Sequence, residues 1–135
     1  MSRFIFTFLG VLLPIGAHVA DLAAPTHVFN DRWPPHAKFH GGQTLAMSIA
    51  LGALTILFAW RRSEHVTSTW AAFGFAVTYS VTQAAAIAYP GTAFFDPEFA
   101  PMLVLGAPIQ LWFGATAVAL AGLATWLSLR GSARS

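Results

Sequence analysis

Pro34-Pro35-His36-Ala37-Lys38-Phe39-His40-Gly41-Gly42-Gln43-Thr44-Leu45-Ala46-Met47-Ser48-Ile49-Ala50-Leu51-Gly52-Ala53-Leu54-Thr55-Ile56-Leu57-Phe58-Ala59-Trp60-Arg61-Arg62 opens on two prolines and closes on two arginines. Proline is favoured in the first turn of a helix and disfavoured further in, so the pair predicts a helix over 35–60. At 1.5 Å per residue that helix is about 39 Å long, more than the roughly 30 Å of a bilayer's hydrocarbon core. Its first turns, with His36 and His40, are therefore expected at the membrane interface.

Three further segments have the same character. One runs over 4–24 behind Arg3, with Pro14 and Gly16 inside it; one over 67–89, closed by Pro90-Gly91; one over 102–129, with Pro108 near its start and Arg130 after it. Hydrophobic residues make up 56% of the 135 and charged residues only 9%, against roughly 25% charged in soluble domains. Mean hydropathy is +0.63. Four spans of about 20 residues leave no room for a soluble domain. The expectation is one all-α domain over 1–135, an integral membrane bundle of four transmembrane helices. A basic residue, an apolar run and small residues near Ala20 and Ala24 also describe a secretory leader. The length of the run, with His18 and Asp21 near its far end, favours a retained helix.

The chain has no cysteine, which excludes disulfides, thiolate nucleophiles and Cys-type zinc or iron–sulfur sites. Its pI of 9.7 arises from seven Lys and Arg against five acids. With those cations scattered, no phosphate-binding face exists and no nucleic-acid partner is expected. Counted by face, Arg3, Arg61, Arg62, Arg130 and Arg134 gather at one end, and only Arg32 and Lys38 at the other. The excess of basic residues on cytoplasmic loops then puts both termini in the cytoplasm, with a bacterial inner membrane as the expected location. The 26–42 and 92–101 loops fall on the opposite face, where the aromatic-rich second loop is expected to dip into the headgroup region. Gly106, Gly114 and Gly122 on segment four, and Ser48 and Gly52 on segment two, are notches for close helix approach, inside the bundle or in a homo-oligomer.

Candidate chemistry gathers towards the non-cytoplasmic face. His36 and His40, four apart at a helix start, place both imidazoles on one side, as in two-histidine metal grips. His18 and Asp21 form a second same-face pair. If the pairs converge, His40, His36, His18 and Asp21 could bind zinc or iron, or one histidine could hold haem; the plain alternative is that the imidazoles are only hydrogen-bonded to loop carbonyls and headgroups. His65, beside Glu64, reads as a solvated turn residue and His27 as a loop anchor. Gln43, Gln83 and Gln110 lie near the same level of helices two, three and four, with Tyr79 one turn before Gln83. They either tie the helices together or line a pocket opening outward or sideways into lipid. Asp96 and Glu98 are acids that could orient an imidazole. The chain lacks a phosphate loop, a Gly-x-Ser-x-Gly elbow and a His-Glu-x-x-His site.

Arg32-Trp33-Pro34-Pro35-His36-Ala37-Lys38-Phe39-His40, followed by Gly42-Gln43-Thr44, resembles a signature of a family of small four-helix membrane proteins of unknown function. That resemblance implies fold and membership and no reaction. A weaker resemblance is to the styrene oxide isomerases, small four-span enzymes that bind haem b through a histidine near the start of helix two. His40-Gly41-Gly42 stands where that ligand would, and Tyr79 where those enzymes use a tyrosine. The asparagine expected further along helix two is absent; Ala46 lies in that neighbourhood, and Asn30 is in the loop.

Together these features lead to the expectation of a histidine-rich pocket at the non-cytoplasmic face that binds or transforms a small lipophilic molecule. An isomerase- or lyase-like step would be acid–base or assisted by haem b or a divalent metal. His36 or His40 would serve as base or ligand, and Glu98 would assist. Tyr79 and Gln83 would orient substrate, with Gln43 and Gln110 completing the contacts. The alternative is a non-catalytic accessory subunit of a larger membrane complex.

Overall fold

In the computed structural model, residues 1–61 and 65–132 are described, without the side chains of 65 and 132. Arg62, Glu64, Arg134 and the His65 side chain, all used in the sequence reading, lie outside the described residues. Four helices are long and apolar enough to cross a membrane: α1 (Ser2–Leu22), α2 (Pro35–Trp60), α3 (His65–Ala85), extended by a 3-10 turn Ala86–Ala88, and α4 (Ile109–Ser132).

Consecutive helices run antiparallel. Trp60 at the end of α2 donates its indole N–H to Thr7 Oγ1 near the start of α1 (2.9 Å), and Thr69 at the start of α3 meets Ser128 near the end of α4 (3.1 Å). The start of α1, the end of α2, the start of α3 and the end of α4 thus share one end of the bundle. The connections 23–34 and 86–108 cap the other, here called the outer end.

The core at the first end is built from small side chains. Ala72, Ala76, Ala121 and Ala124 pack with Phe6 and Leu9. In lipid, apolar burial alone gives little drive, so close backbone approach and dispersion hold helices together. The tightest approach joins α1 and α2 at Gly10 and Gly52. A Cβ built on Gly10 would stand 2.7 Å from the Gly52 carbonyl oxygen, and one on Gly52 would run into the Gly10 carbonyl oxygen. Pro14 has no N–H to give the Gly10 carbonyl four residues earlier, so that oxygen is left free to face the neighbouring helix. Three buried hydroxyls serve their own helices: Ser48 donates to Leu45 O (2.6 Å), Thr55 to Leu51 O (2.8 Å) and Thr125 to Ala121 O (2.9 Å). Among the described residues no buried side-chain polar atom lacks a hydrogen-bond partner.

The expected fourth helix over 102–129 needs correcting at its start. Residues 103–108 form a two-stranded antiparallel hairpin, Leu103–Val104 with Ala107–Pro108, and α4 begins only at Ile109. Leu105 (φ 51°) and Gly106 (φ 78°) make the turn, both left-handed as a two-residue hairpin turn demands. Trp112, from the first turn of α4, donates its indole N–H to Val104 O (2.8 Å) and clips the hairpin to the helix. Gly106 is thus a turn residue, not a helix notch. Of the other two glycines in that series, Gly114 meets the Ser80 side chain, whereas a Cβ on Gly122 would meet nothing within 4 Å. Pro90-Gly91, the expected breaker, forms a turn in which Gly91 takes φ 78° and Thr92 N–H reaches Tyr89 O.

Candidate functional site

Two faces of α2 separate packing from chemistry. Leu45, Ser48, Gly52 and Thr55 point into the bundle, and Gly41 lies beneath the Trp33 ring. His36, His40, Gln43 and Met47 follow the same helical spacing on another stripe, and all four are exposed. Along this stripe the two imidazoles meet, with Nε2 to Nε2 at 3.1 Å, ring centroids 4.5 Å apart and planes at 78°. Phe39 stacks on His36 (centroids 6.1 Å apart, planes at 7°) and meets His40 edge-on (5.4 Å). Gln43 Oε1 lies 3.1 Å from His40 Nδ1. As an amide oxygen only accepts, His40 Nδ1 carries the proton and His40 Nε2 accepts from His36 Nε2–H.

The stretch just before this pair locks the two outer connections together. Asn30, 4% exposed, bridges them: its carbonyl accepts from Arg32 N–H (2.9 Å) and its amide donates to Glu98 Oε1 (3.2 Å). Arg32 stands 3.6 Å from the other Glu98 oxygen, and Trp33 donates its indole N–H to Asp96 Oδ2 (3.2 Å). The Asn30 amide first, then a backbone hydrogen bond and the Arg32 guanidinium, hold the Glu98 carboxyl below its ordinary value. Both loop carboxylates, expected beside an imidazole, are given to asparagine, arginine and tryptophan. A buried asparagine needs partners for both ends of its amide, and these loops supply them.

A third polar group lies at the outer end of α1. His18 gives its Nδ1–H to the Pro14 carbonyl one turn earlier (2.8 Å). Asp21 instead faces His27, with Oδ1 to Nδ1 at 3.6 Å, and Tyr79 stands half-buried on α3. His27 Nδ1 also meets Thr26 Oγ1 (2.8 Å), and its ring packs edge-on against Trp33 (5.3 Å). His27 and Asn30 are the residues that sequence reasoning undervalued. Asn30 carried one signal, as the lone asparagine directly before the Trp33-Pro34-Pro35 string; the partner of His27 lies back across the end of a helix, where spacing says nothing.

The three amides part company. Gln43 serves His40, Gln83 is exposed on the outer half of α3, and Gln110 donates to Phe94 O (3.0 Å), tying the second outer connection to α4. Gln110 also borders a groove of about 420 Å³ between the outer halves of α3 and α4, with Ser80, Ala84, Gly114, Ala115 and Val118 in its walls. A second groove of about 310 Å³ lies between the same helices nearer the other end, lined by Trp70, Phe73, Gly122, Thr125, Trp126 and Leu129. Neither is lined by His36 or His40.

Haem b fails a fit test at His40. An iron bound to Nε2 would stand about 2 Å from it, with a porphyrin plane around it. The His36 ring, with its Nε2 3.1 Å from His40 Nε2, already fills that space. For a bare ion, no group of three or more His, Asp or Glu is assembled among the described residues, so His18 and Asp21 stand apart from the His36–His40 pair.

No curated protein and no solved structure matches the chain. Residues 6–131 match the model of a family described only as a family of unknown function, DUF6640, and since that match takes in nearly the whole bundle, the chain belongs to this family.

Proposed function

We propose that this protein is an integral membrane protein that takes a small lipophilic molecule from the bilayer into the groove between the outer halves of α3 and α4. One observation carries the reading: about 420 Å³ of space, walled by small side chains, with only Ser80 and Gln110 as polar groups at its edge. That volume lies within the range of small-molecule sites, and a few polar groups in an apolar wall are what fixes the orientation of such a ligand. The Gln110 amide nitrogen is held by Phe94 O, which leaves its carbonyl oxygen to accept from a ligand hydroxyl or amide. The reading stops at binding, because His36, His40, Tyr79 and Glu98 do not surround one volume.

The groove belongs to the outer end on charge grounds. Arg3 lies over Trp60 (5.7 Å), Arg61 over Phe58 (5.7 Å) and Arg130 over Trp126 (4.0 Å), all at the other end. Cationic side chains and interfacial aromatics of this kind mark a cytoplasmic boundary, which favours cytoplasmic termini in a bacterial inner membrane. The string 33–40 is our candidate for the family's signature, since it supplies the Trp33 bond of the loop lock and the imidazole pair.

The test is organic extraction and mass spectrometry of the full chain purified in mild detergent, beside Ala84→Phe, which fills the groove. A molecule retained in stoichiometric amount by the wild type and lost from Ala84→Phe is the expected result. Equal retention by both, or none by the wild type after reconstitution in native lipid extract, refutes the reading. A second reading, an accessory subunit of a larger complex, is favoured by the outer hairpin, whose tip residue Leu105 is 89% exposed. Purification of the chain as a partner-free species would remove it.

A further inference from the structure

We propose that His36 and His40 form a two-point chelate for a divalent first-row transition ion, zinc or copper in class, at the outer rim of α2. The proposal stands on the pair and does not depend on the groove.

Metal–imidazole bonds are about 2.0–2.1 Å, so two cis nitrogens on one ion lie about 2.9 Å apart at 90° and about 3.3 Å apart at the tetrahedral angle. The observed 3.1 Å falls between them. Ring direction agrees as well. Head-on imidazoles at that separation would have centroids roughly 5.4 Å apart, and rings converging on an ion 2 Å from each nitrogen would have them about 4.9 Å apart. The centroids are at 4.5 Å, so both rings turn inward towards a common point, by a few tenths of an ångström more than such an ion requires.

The surroundings prepare both rings. Gln43 Oε1 accepts from the Nδ1–H of His40, so the lone pair of that ring is on Nε2, facing His36; such an acceptor on the far nitrogen is the outer partner that metal-binding histidines use. Phe39 packs on both rings and limits their rotation. A single proton on His36 Nε2 holds the metal-free pair together. The ion displaces it, and the neutral His36 ring supplies its Nε2 lone pair with the proton moved to Nδ1, water carrying it across. With no third His, Asp or Glu gathered there among the described residues, the other coordination positions stay open to water.

The experiment is a titration of the full, detergent-purified chain, carrying no polyhistidine tag, with Zn2+ and Cu2+, followed by calorimetry and, for copper, by paramagnetic resonance. One ion per chain with two imidazole nitrogens is the expected result. His36→Gln and His40→Gln are each expected to abolish it. Gln43→Leu, which leaves both ligands in place, is expected to weaken binding ten- to hundredfold, as outer-partner losses do. His27→Gln is expected to leave it unchanged. His36 and His40 are exposed, and thermal unfolding of each variant verifies the fold. Unaltered binding in folded His36→Gln or His40→Gln overturns the proposal, as does a ratio of one ion to two chains or a single coordinated nitrogen.

Discussion

A single methyl group at Gly52 is expected to separate α1 from α2. The built Cβ of Gly52 meets the Gly10 carbonyl oxygen and stands 3.2 Å from Pro14 Cδ, both held by a helix and neither able to rotate away. The reciprocal position gives the scale: a Cβ on Gly10 would lie 2.7 Å from the Gly52 carbonyl, and ordinary contact starts at 3.4 Å. The helices must therefore part by roughly 0.7 Å or more, a degree of overpacking that costs about 1–3 kcal/mol. Glycine to alanine inside a helix is itself favourable by roughly 1 kcal/mol, which would mask part of the loss. Gly122→Ala removes that ambiguity, since a Cβ there meets nothing within 4 Å. The difference between Gly52→Ala and Gly122→Ala is then the packing cost alone. Reversible unfolding by SDS in mixed micelles, followed by tryptophan fluorescence, measures it. In the double variant Gly10→Ala/Gly52→Ala one separation relieves both clashes, so its loss is expected to be less than the sum. Agreement of all three single variants within about 0.5 kcal/mol would refute the reasoning.

The loop lock sets a pH dependence. Glu98 is held below its ordinary 4.5, so its contribution is present above that value and is lost as acidification proceeds through its lower folded value. Hydrogen exchange of 23–34 and 92–101 is expected to rise below about pH 4.5 in the wild type, and to be already raised at pH 7 in Asn30→Ala, where a buried bridge is removed; flat exchange in the wild type down to pH 3 would count against it. Trp33→Phe, which keeps the ring over Gly41 and loses the bond to Asp96, is expected to cost about 1.5–3 kcal/mol, the range for a hydrogen bond to a charged acceptor, read in the same SDS assay. Because the chain has no cysteine, Asp31→Cys and Gly131→Cys can be labelled singly in cells. A membrane-impermeant maleimide is expected to reach the first from outside the inner membrane and the second only after lysis, and the reverse pattern would invert the assigned orientation.

Much of the framework was legible because it rests on local rules. The Pro34-Pro35 pair and the arginines after Trp60 bracket α2, and i, i+4 spacing brings His36 and His40 together without any knowledge of the fold. The start of α4 was hidden because Pro108, read as lying near the start of the helix, closes a hairpin instead, and the turn before it uses Leu105 in place of the Asn or Gly that usually signals left-handed backbone. The partners of Asp96 and Glu98 were out of reach of any periodicity. They lie 63 and 68 residues from Trp33 and Asn30, and only the antiparallel closure of four helices makes those connections neighbours. His18 and Asp21 shared a face as expected, yet the Pro14 carbonyl offered His18 a nearer partner and the chain turning out of α1 brought His27 to Asp21.

The placement of α2 has a consequence for how the two proposed sites relate. Its inward stripe is committed to Gly10, Trp33 and the core, so its imidazoles lie on the exposed side of the helix. The groove is lined by residues of α3 and α4 alone, and among the described residues no Cα of α2 comes within 8 Å of one of α4. An ion on the histidines therefore has neither a shared side chain nor a shared wall through which to reach a molecule in the groove. Substitutions without common partners add to within about 0.5 kcal/mol, which bounds any coupling to little more than a twofold change in affinity. Zinc titrations of wild type and Ala84→Phe are expected to agree within that factor, and His40→Gln is expected to retain the extractable ligand in full. A tenfold change in either direction would mean that one site is built from both sets of residues, and the separation of packing from chemistry along α2 would have to be abandoned.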